Sequence, residues 1–311
     1  MAHHILRPER RTLHGHFSPD LPPVLTIAPG DTVRCSTLDA NWGLEPYKGG
    51  VYGPRREFEG RAAGLDDGHP LIGPIAISGA QPGLTLAVDI LHLRPGTWGF
   101  TMGGGWPNPT NNRLGISTGG VVHDWRLDPD IMTGRNHVGH SVRLRAFMGV
   151  MGMPPPAPGI HSTIPPRVWG GNMDCKELVV GSTLYLPIPV AGGLFSVGDG
   201  HAAQGDGEIS STAIECPMEE VDLRFDLRED FPVTTPVANT PAGWVTMAFD
   251  ADLNEAAFAA LEAMLALMGR LYKLERFDAV ALASVVVDLR VTQMVNEVCG
   301  VHAVLPHGSI R

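Results

Sequence analysis

The residue pattern predicts a mainly β protein: a jelly-roll-like β-sandwich with an additional C-terminal α+β portion. Short apolar runs separated by Pro/Gly turns fill most of the 311 residues. One of them, 221–227, alternates apolar and polar side chains as a half-buried antiparallel strand does. Helical spacing of apolar residues enters only past residue 250. Strands joined by turns, without intervening helices, favour a sandwich over a βαβ arrangement.

Taken in order, residues 23–27 and 32–37 read as strands around the turn Pro29-Gly30-Asp31, and 75–78 and 85–91 as strands around Gln81-Pro82-Gly83. Residues 99–123 are rich in glycine, with Pro107 and Pro109, and read as a long surface loop that could border a site. A further strand is expected within 178–190. It leads into 193–208, where glycines at 198, 200, 205 and 207 argue for a tight loop. Each interior glycine costs a helix about 1 kcal/mol, whereas a turn uses its freedom at positive φ. Residues 209–216 look like a strand, which would put the loop at a strand end. Residues 231–245 are rich in Pro and Thr and read as a linker between a β-sandwich over 1–230 and a smaller α+β portion over 231–311 packed against it. In that portion 253–274 is expected to be a helix with Asn254 as its N-cap. Its Leu261, Leu265, Met268, Leu271 and Tyr272 form a core stripe. A second helix over 278–286 and a strand from 287 follow.

With 23 Lys+Arg against 33 Asp+Glu, the formal charge of −10 argues against nucleic acid as a partner. There is no 18-residue apolar run and no signal-peptide pattern, so a soluble cytoplasmic protein with no membrane partner is the expectation. The four cysteines (Cys35, Cys175, Cys216, Cys299) form no CxxC pair and read as structural thiols. No GxSxG, HExxH or P-loop is present.

The chemistry is concentrated at 199–208, where Asp199, His201, Asp206 and Glu208 fall within ten residues. Three acids and an imidazole this close repel and lose solvation unless a cation or donors compensate, and these are the side chains that hard and borderline metal ions take. Upstream, Asn172 and Asp174 are two residues apart and so face one side of an extended chain. His69 before Pro70 and Asp39 after a strand add weaker candidates. Each has a plainer reading: Asp199 and Asp206 as turn-closing residues between glycines, Glu208 as the start of an exposed strand, His69 and His161 as turn histidines, Asp66 and Asp67 as solvated acids. His3, His4, His14, His16, His137 and His140 read as surface or packing residues.

Gly170-Gly171-Asn172-Met173-Asp174, together with the 16-residue run from 193 to 208, is similar to the acetamidase/formamidase family of amide hydrolases. Further matching pieces are 21–25, 69–79, 147–153 and 278–284, so the resemblance runs from about residue 4 to the C-terminus. It implies a jelly-roll-like sandwich with an added α+β portion, hydrolysis of linear amides to ammonia and carboxylate, and an association with metal ions. Leu84 departs from the Asp common in the family's turn, and 99–123 departs from the family's acetamidase version, which bears on the shape of the pocket. On this reading Asp174, Asp199 and His201 are metal ligands, with Asp39 and Asp206 as further candidates. Glu208 shuttles the proton, Asn172 donates to the oxyanion or orients the amide, and His69 is a further catalytic candidate. The cofactor is a divalent metal: zinc with His201 among the ligands, calcium if the ligands are oxygens alone. The expected partners are a small amide and further copies of the chain in a homo-oligomer. Rival readings are a lactam or carbamate hydrolase on the same site, a non-catalytic sandwich with a structural calcium, and covalent catalysis by Cys175 in Asp174-Cys175-Lys176-Glu177.

Overall fold

A computed structural model describes all 311 residues. The elements, in chain order, are β1 (His3–Leu6), β2 (Leu13–His14), β3 (Leu25–Ile27), β4 (Thr32–Cys35), β5 (Leu71–Ile77), β6 (Thr85–Pro95), β7 (Trp98–Gly103), α1 (Pro109–Leu114), β8 (Val121–Asp128), β9 (Thr133–Asn136) and β10 (Ser141–Arg143). They continue with β11 (Phe147–Gly152), β12 (Gly170–Asn172), β13 (Thr183–Pro187), β14 (Phe195–His201), β15 (Met218–Arg228), β16 (Val237–Thr240), β17 (Gly243–Asp250), α2 (Leu253–Tyr272), α3 (Arg276–Val286), β18 (Asp288–Asn296) and β19 (Val298–Pro306).

Two sheets form the sandwich. One has nine strands in the order β1-β4-β15-β6-β13-β16-β17-β19-β18; the other has six, β12-β11-β14-β5-β2 with β3 on β5. Alternation decides which side chains meet between them. Val33, Val88, Leu223 and Phe225 come from the first sheet, Ile72, Ile75, Met148, Met151, Phe195 and Val197 from the second, and all share one buried core. A four-stranded sheet, β10-β9-β8-β7, flanks this body. The outer face of the nine-stranded sheet is covered by α2, whose Met264, Leu267 and Met268 pack with Tyr185, Ala303 and Leu305. No helix is long and apolar enough to cross a membrane.

Several local expectations change. Residues 195–201 are not loop but β14, buried over its whole length between β11 and β5. Its glycines serve close approach: a Cβ at Gly198 would meet Pro70 and Leu71, and one at Gly200 would meet Met218 and Cys216. The following 209–216 is irregular rather than a strand, with isolated β-bridges from Glu215 to Phe100 and His201. The supposed linker 231–245 holds β16 and the start of β17. Because β16 bonds to β13, the chain beyond residue 230 continues the nine-stranded sheet. Part of 99–123 is strand, and α1 lies within it. Asp252, not Asn254, caps α2, accepting from the Asn254 N–H at 2.7 Å. Asp66 is buried rather than solvated: it takes Arg10 Nη1 at 2.6 Å and the N–H groups of Gly15 and Ala62.

Candidate metal centre

Five ionisable side chains converge between the sheets and the 203–216 segment: Asp174, Asp199, His201, Glu208 and Glu215, each at least nine-tenths buried. Ligand atoms of Asp174, Asp199 and His201 lie within 4.8 Å of one another, as do those of His201, Glu208 and Glu215. His201 Nε2 stands 3.0 Å from Glu215 Oε2 and 3.3 Å from Asp199 Oδ2, and its Nδ1 stands 3.8 Å from Asp174 Oδ1. None of these approaches is aligned as a hydrogen bond. Asp174 Oδ1, Asp199 Oδ1, both His201 ring nitrogens, Glu208 Oε2 and Glu215 Oε2 are all buried without a hydrogen-bond partner. Buried polar atoms are normally satisfied, so this many orphans facing one point fits a donor set arranged for a cation.

The backbone supports the same reading. Asp174, Asp199 and Glu208 all have positive φ, at 50°, 58° and 44°. Non-glycine residues take up such conformations at a cost that concentrates at functional sites. Gly149 on β11 lies directly beneath: a Cβ there would fall on Asp199 Oδ2 and Asp174 Oδ1 and against His201 Cε1. Supporting contacts fix the donors. Asn296 Nδ2 donates to Asp174 Oδ2 at 2.5 Å, Glu215 Oε1 accepts from the Ala213 N–H at 2.7 Å, and the Phe147 ring meets the imidazole of His201 edge-on at 5.0 Å.

Protonation follows from crowding. Burial pushes the Asp174 and Glu215 carboxyls up to about 7. Burial, reinforced by Asp174, holds Glu208 well above the usual carboxylate range. For His201 burial works downward, but Glu215 and Asp199 outweigh it and hold the imidazole well above its ordinary value. Asp199 shows the converse: burial would raise it, yet the imidazoles of His201 and His69 hold it low. Without a cation, this crowding favours the protonated carboxyls of Asp174, Glu208 and Glu215.

A polar cavity of about 80 Å³ opens on the cluster. Its wall includes Asn172, Asp199, Glu208 and Glu215 together with His69 and Asn296. His69 Nδ1 bonds to Thr163 Oγ1 at 2.9 Å, leaving Nε2 as the free ring nitrogen, and burial lowers its basicity. Asn172 donates through Nδ2 to the Ile164 carbonyl at 3.1 Å while its Oδ1 is buried without a partner. The free atom is therefore an acceptor.

Two residues predicted from sequence as ligands lie elsewhere. Asp39 is fully buried against Arg55 and accepts from the N–H groups of Asn41 and Gly43. Asp206 pairs with Lys176 Nζ at 2.9 Å. Glu215, Asn296 and Gly149 were not predicted. Glu215 carried a signal, being an acid between apolar Ile214 and Cys216; Asn296 and Gly149 carried none. The rival nucleophile has no support. Cys175 is fully buried, burial pushes its thiol up to about 12, and Glu177 is bound to Arg145 at 2.6 Å and Arg290 at 3.3 Å. All four cysteines are free.

Fold and site define a β-sandwich with a buried acid/histidine centre. A sequence profile of the Acetamidase/Formamidase family matches residues 3–161 and 157–306, and the chain belongs to that family. A formamidase of Methylophilus methylotrophus is 30% identical over 70% of this chain and 64% of its own length. An acetamidase of Mycolicibacterium smegmatis is 28% identical over 71% of this chain and 68% of its own. This chain thus spans about two thirds of the length of these relatives. The crystal structure of an acetamidase from Yersinia enterocolitica superposes with a TM-score of 0.83 at 26% identity, over 98% of this chain and 92% of that one.

Proposed function

We propose that the protein hydrolyses the C–N bond of small linear amides, releasing ammonia and a carboxylate, at the buried centre formed by Asp174, Asp199, His201, Glu208 and Glu215. The observation that carries this is the set of unpartnered donor atoms on a small polar cavity. Family membership and the similarity to a formamidase and an acetamidase supply the substrate class.

Asp174, Asp199 and His201 would hold a divalent metal, with Glu215 able to join them, and the nitrogen of His201 favours zinc over calcium. Such an ion, when bound, lowers the pKa of water and polarises a carbonyl, the two aids that amide resonance makes necessary. The remaining steps fall to side chains. Asn172 Oδ1 accepts from the substrate N–H and so turns the amide. Its one used donor already serves Ile164, which favours this orienting role over oxyanion binding. Glu208 on the cavity wall takes a proton from the attacking water and gives it to the nitrogen as the C–N bond breaks and the C–O bond forms. His69, in the tautomer whose Nδ1 accepts from the Thr163 hydroxyl, carries its proton on Nε2 and offers it to the carbonyl oxygen.

Ammonia and carboxylate measured after incubation with formamide and acetamide test this. Equal amounts of both products are expected. No release from either amide by folded, metal-supplemented protein would contradict it.

A further inference from the structure

The cavity of about 80 Å³ has only two hydrophobic residues in its wall, Ala40 and Phe100. An amide that sets its carbonyl and nitrogen among the polar groups must turn the rest of its acyl group toward these two. Phe100 is not free to yield. Its backbone exchanges hydrogen bonds with Glu215 in both directions, at 2.9 and 2.8 Å. Its ring meets Tyr47 edge-on at 5.0 Å, and the Arg55 guanidinium covers both, 4.1 Å from the Tyr47 centroid and 5.1 Å from that of Phe100.

Arg55 is itself locked. Its side chain is 2% exposed and paired with that of Asp39, which is 0% exposed. Asp39 also accepts from the N–H groups of Asn41 at 3.0 Å and Gly43 at 2.7 Å, closing the turn that brings Ala40 and Asn41 to the cavity. A side chain at Gly43 would collide with the guanidinium of Arg55, so glycine is required for this packing. Both apolar wall residues therefore depend on one buried ion pair.

We propose that Phe100, clamped by the Asp39–Arg55 pair, sets the upper size of the acyl group that this site admits, with Arg55 as a positioning residue. This deepens the amide reading and rests on it. One methylene too many in such a pocket costs roughly 10–200-fold in kcat/KM, so preference should fall steeply from formamide and acetamide to propionamide and butyramide.

The test compares kcat/KM for these four amides in the wild type, Phe100→Leu, Phe100→Ala and the paired Asp39→Asn/Arg55→Met variant. The paired variant avoids leaving one buried charge alone. Thermal midpoints with formate, acetate, propionate and butyrate are measured on the same proteins as an activity-independent readout. The butyramide-to-formamide ratio is expected to rise at least about tenfold in Phe100→Ala, less in Phe100→Leu and in the paired variant, with butyrate stabilising the variants but not the wild type. Folded variants that lose all four amides in proportion, with an unchanged carboxylate series, overturn the size limit. A wild type that cleaves no amide overturns the amide reading alone; the carboxylate series then still decides whether Phe100 limits size.

Discussion

Gly149 shows how finely the centre is set, since the smallest side chain there would occupy the space between Asp174, Asp199 and His201. Gly149→Ala is expected to abolish metal uptake in a protein that still folds, read as metal content after dialysis against zinc. Glu208→Gln keeps the shape of a residue with one unpartnered oxygen but removes its capacity to carry a proton. Ammonia release should fall by about 10²–10⁴-fold with metal content retained. At this scale crowding in the sequence anticipated proximity only in part: Asp199, His201 and Glu208 meet in one buried cluster, whereas Asp206 from the same run pairs with Lys176. The sequence was illegible where chemistry depends on distant partners. Asn296 reaches Asp174 across 122 residues, and nothing in the run 293–297 points to that. Asp39 looked like a ligand because a buried acid and a metal-binding acid have the same local pattern; the nearby Arg55 decides between them.

Individual elements show where local rules were overruled. The run 195–201 has the glycines of a loop yet forms β14, because β11 and β5 pair with it on both sides, while Pro70 and Leu71 leave no room for a side chain at Gly198 and Cys216 and Met218 leave none at Gly200. Tertiary burial outweighed propensity there. By contrast 221–227 formed the strand its alternation announced, within β15 (Met218–Arg228). The apolar stripe of 253–274 became α2, which starts at Leu253 as expected, ends at Tyr272 and is capped one residue before its start. Asp252 and Asn254 are both good caps, and only geometry separates them. Asp252→Ala should lower stability by about 1 kcal/mol in urea unfolding, while Asn254→Ala should leave it nearly unchanged and neither should alter ammonia release.

Over the whole molecule, the family's sandwich and its C-terminal extension were legible from turn spacing and late helical periodicity. The continuity of the nine-stranded sheet through β16 was not, because Pro and Thr at 231–245 serve edges and turns as readily as linkers. The molecule also stores acid sensitivity away from the centre. Burial lowers His14, bonded to Ser196 Oγ, to about 4, and lowers His302, bonded to Thr292 Oγ1, to about 4. An unfolded histidine titrates near 6.5, so between these values the unfolded chain binds protons that the folded chain refuses. The stability these two histidines contribute is therefore complete above about pH 6.5 and is lost as pH falls toward 4, by about 3 kcal/mol for each. Because the raised carboxyls of the centre act with the opposite sign, the readout is a difference: in urea unfolding, the stability of the wild type relative to His14→Gln should fall as pH drops from about 6.5 toward 4. The central claim, that a divalent ion among Asp174, Asp199, His201 and the two glutamates is required for amide hydrolysis, is tested most directly by one titration. Ammonia release from formamide is followed on protein stripped with a chelator and then supplied stepwise with zinc. Release that disappears on stripping and returns in proportion to bound metal is the predicted result; release that persists undiminished in metal-free protein would contradict the account.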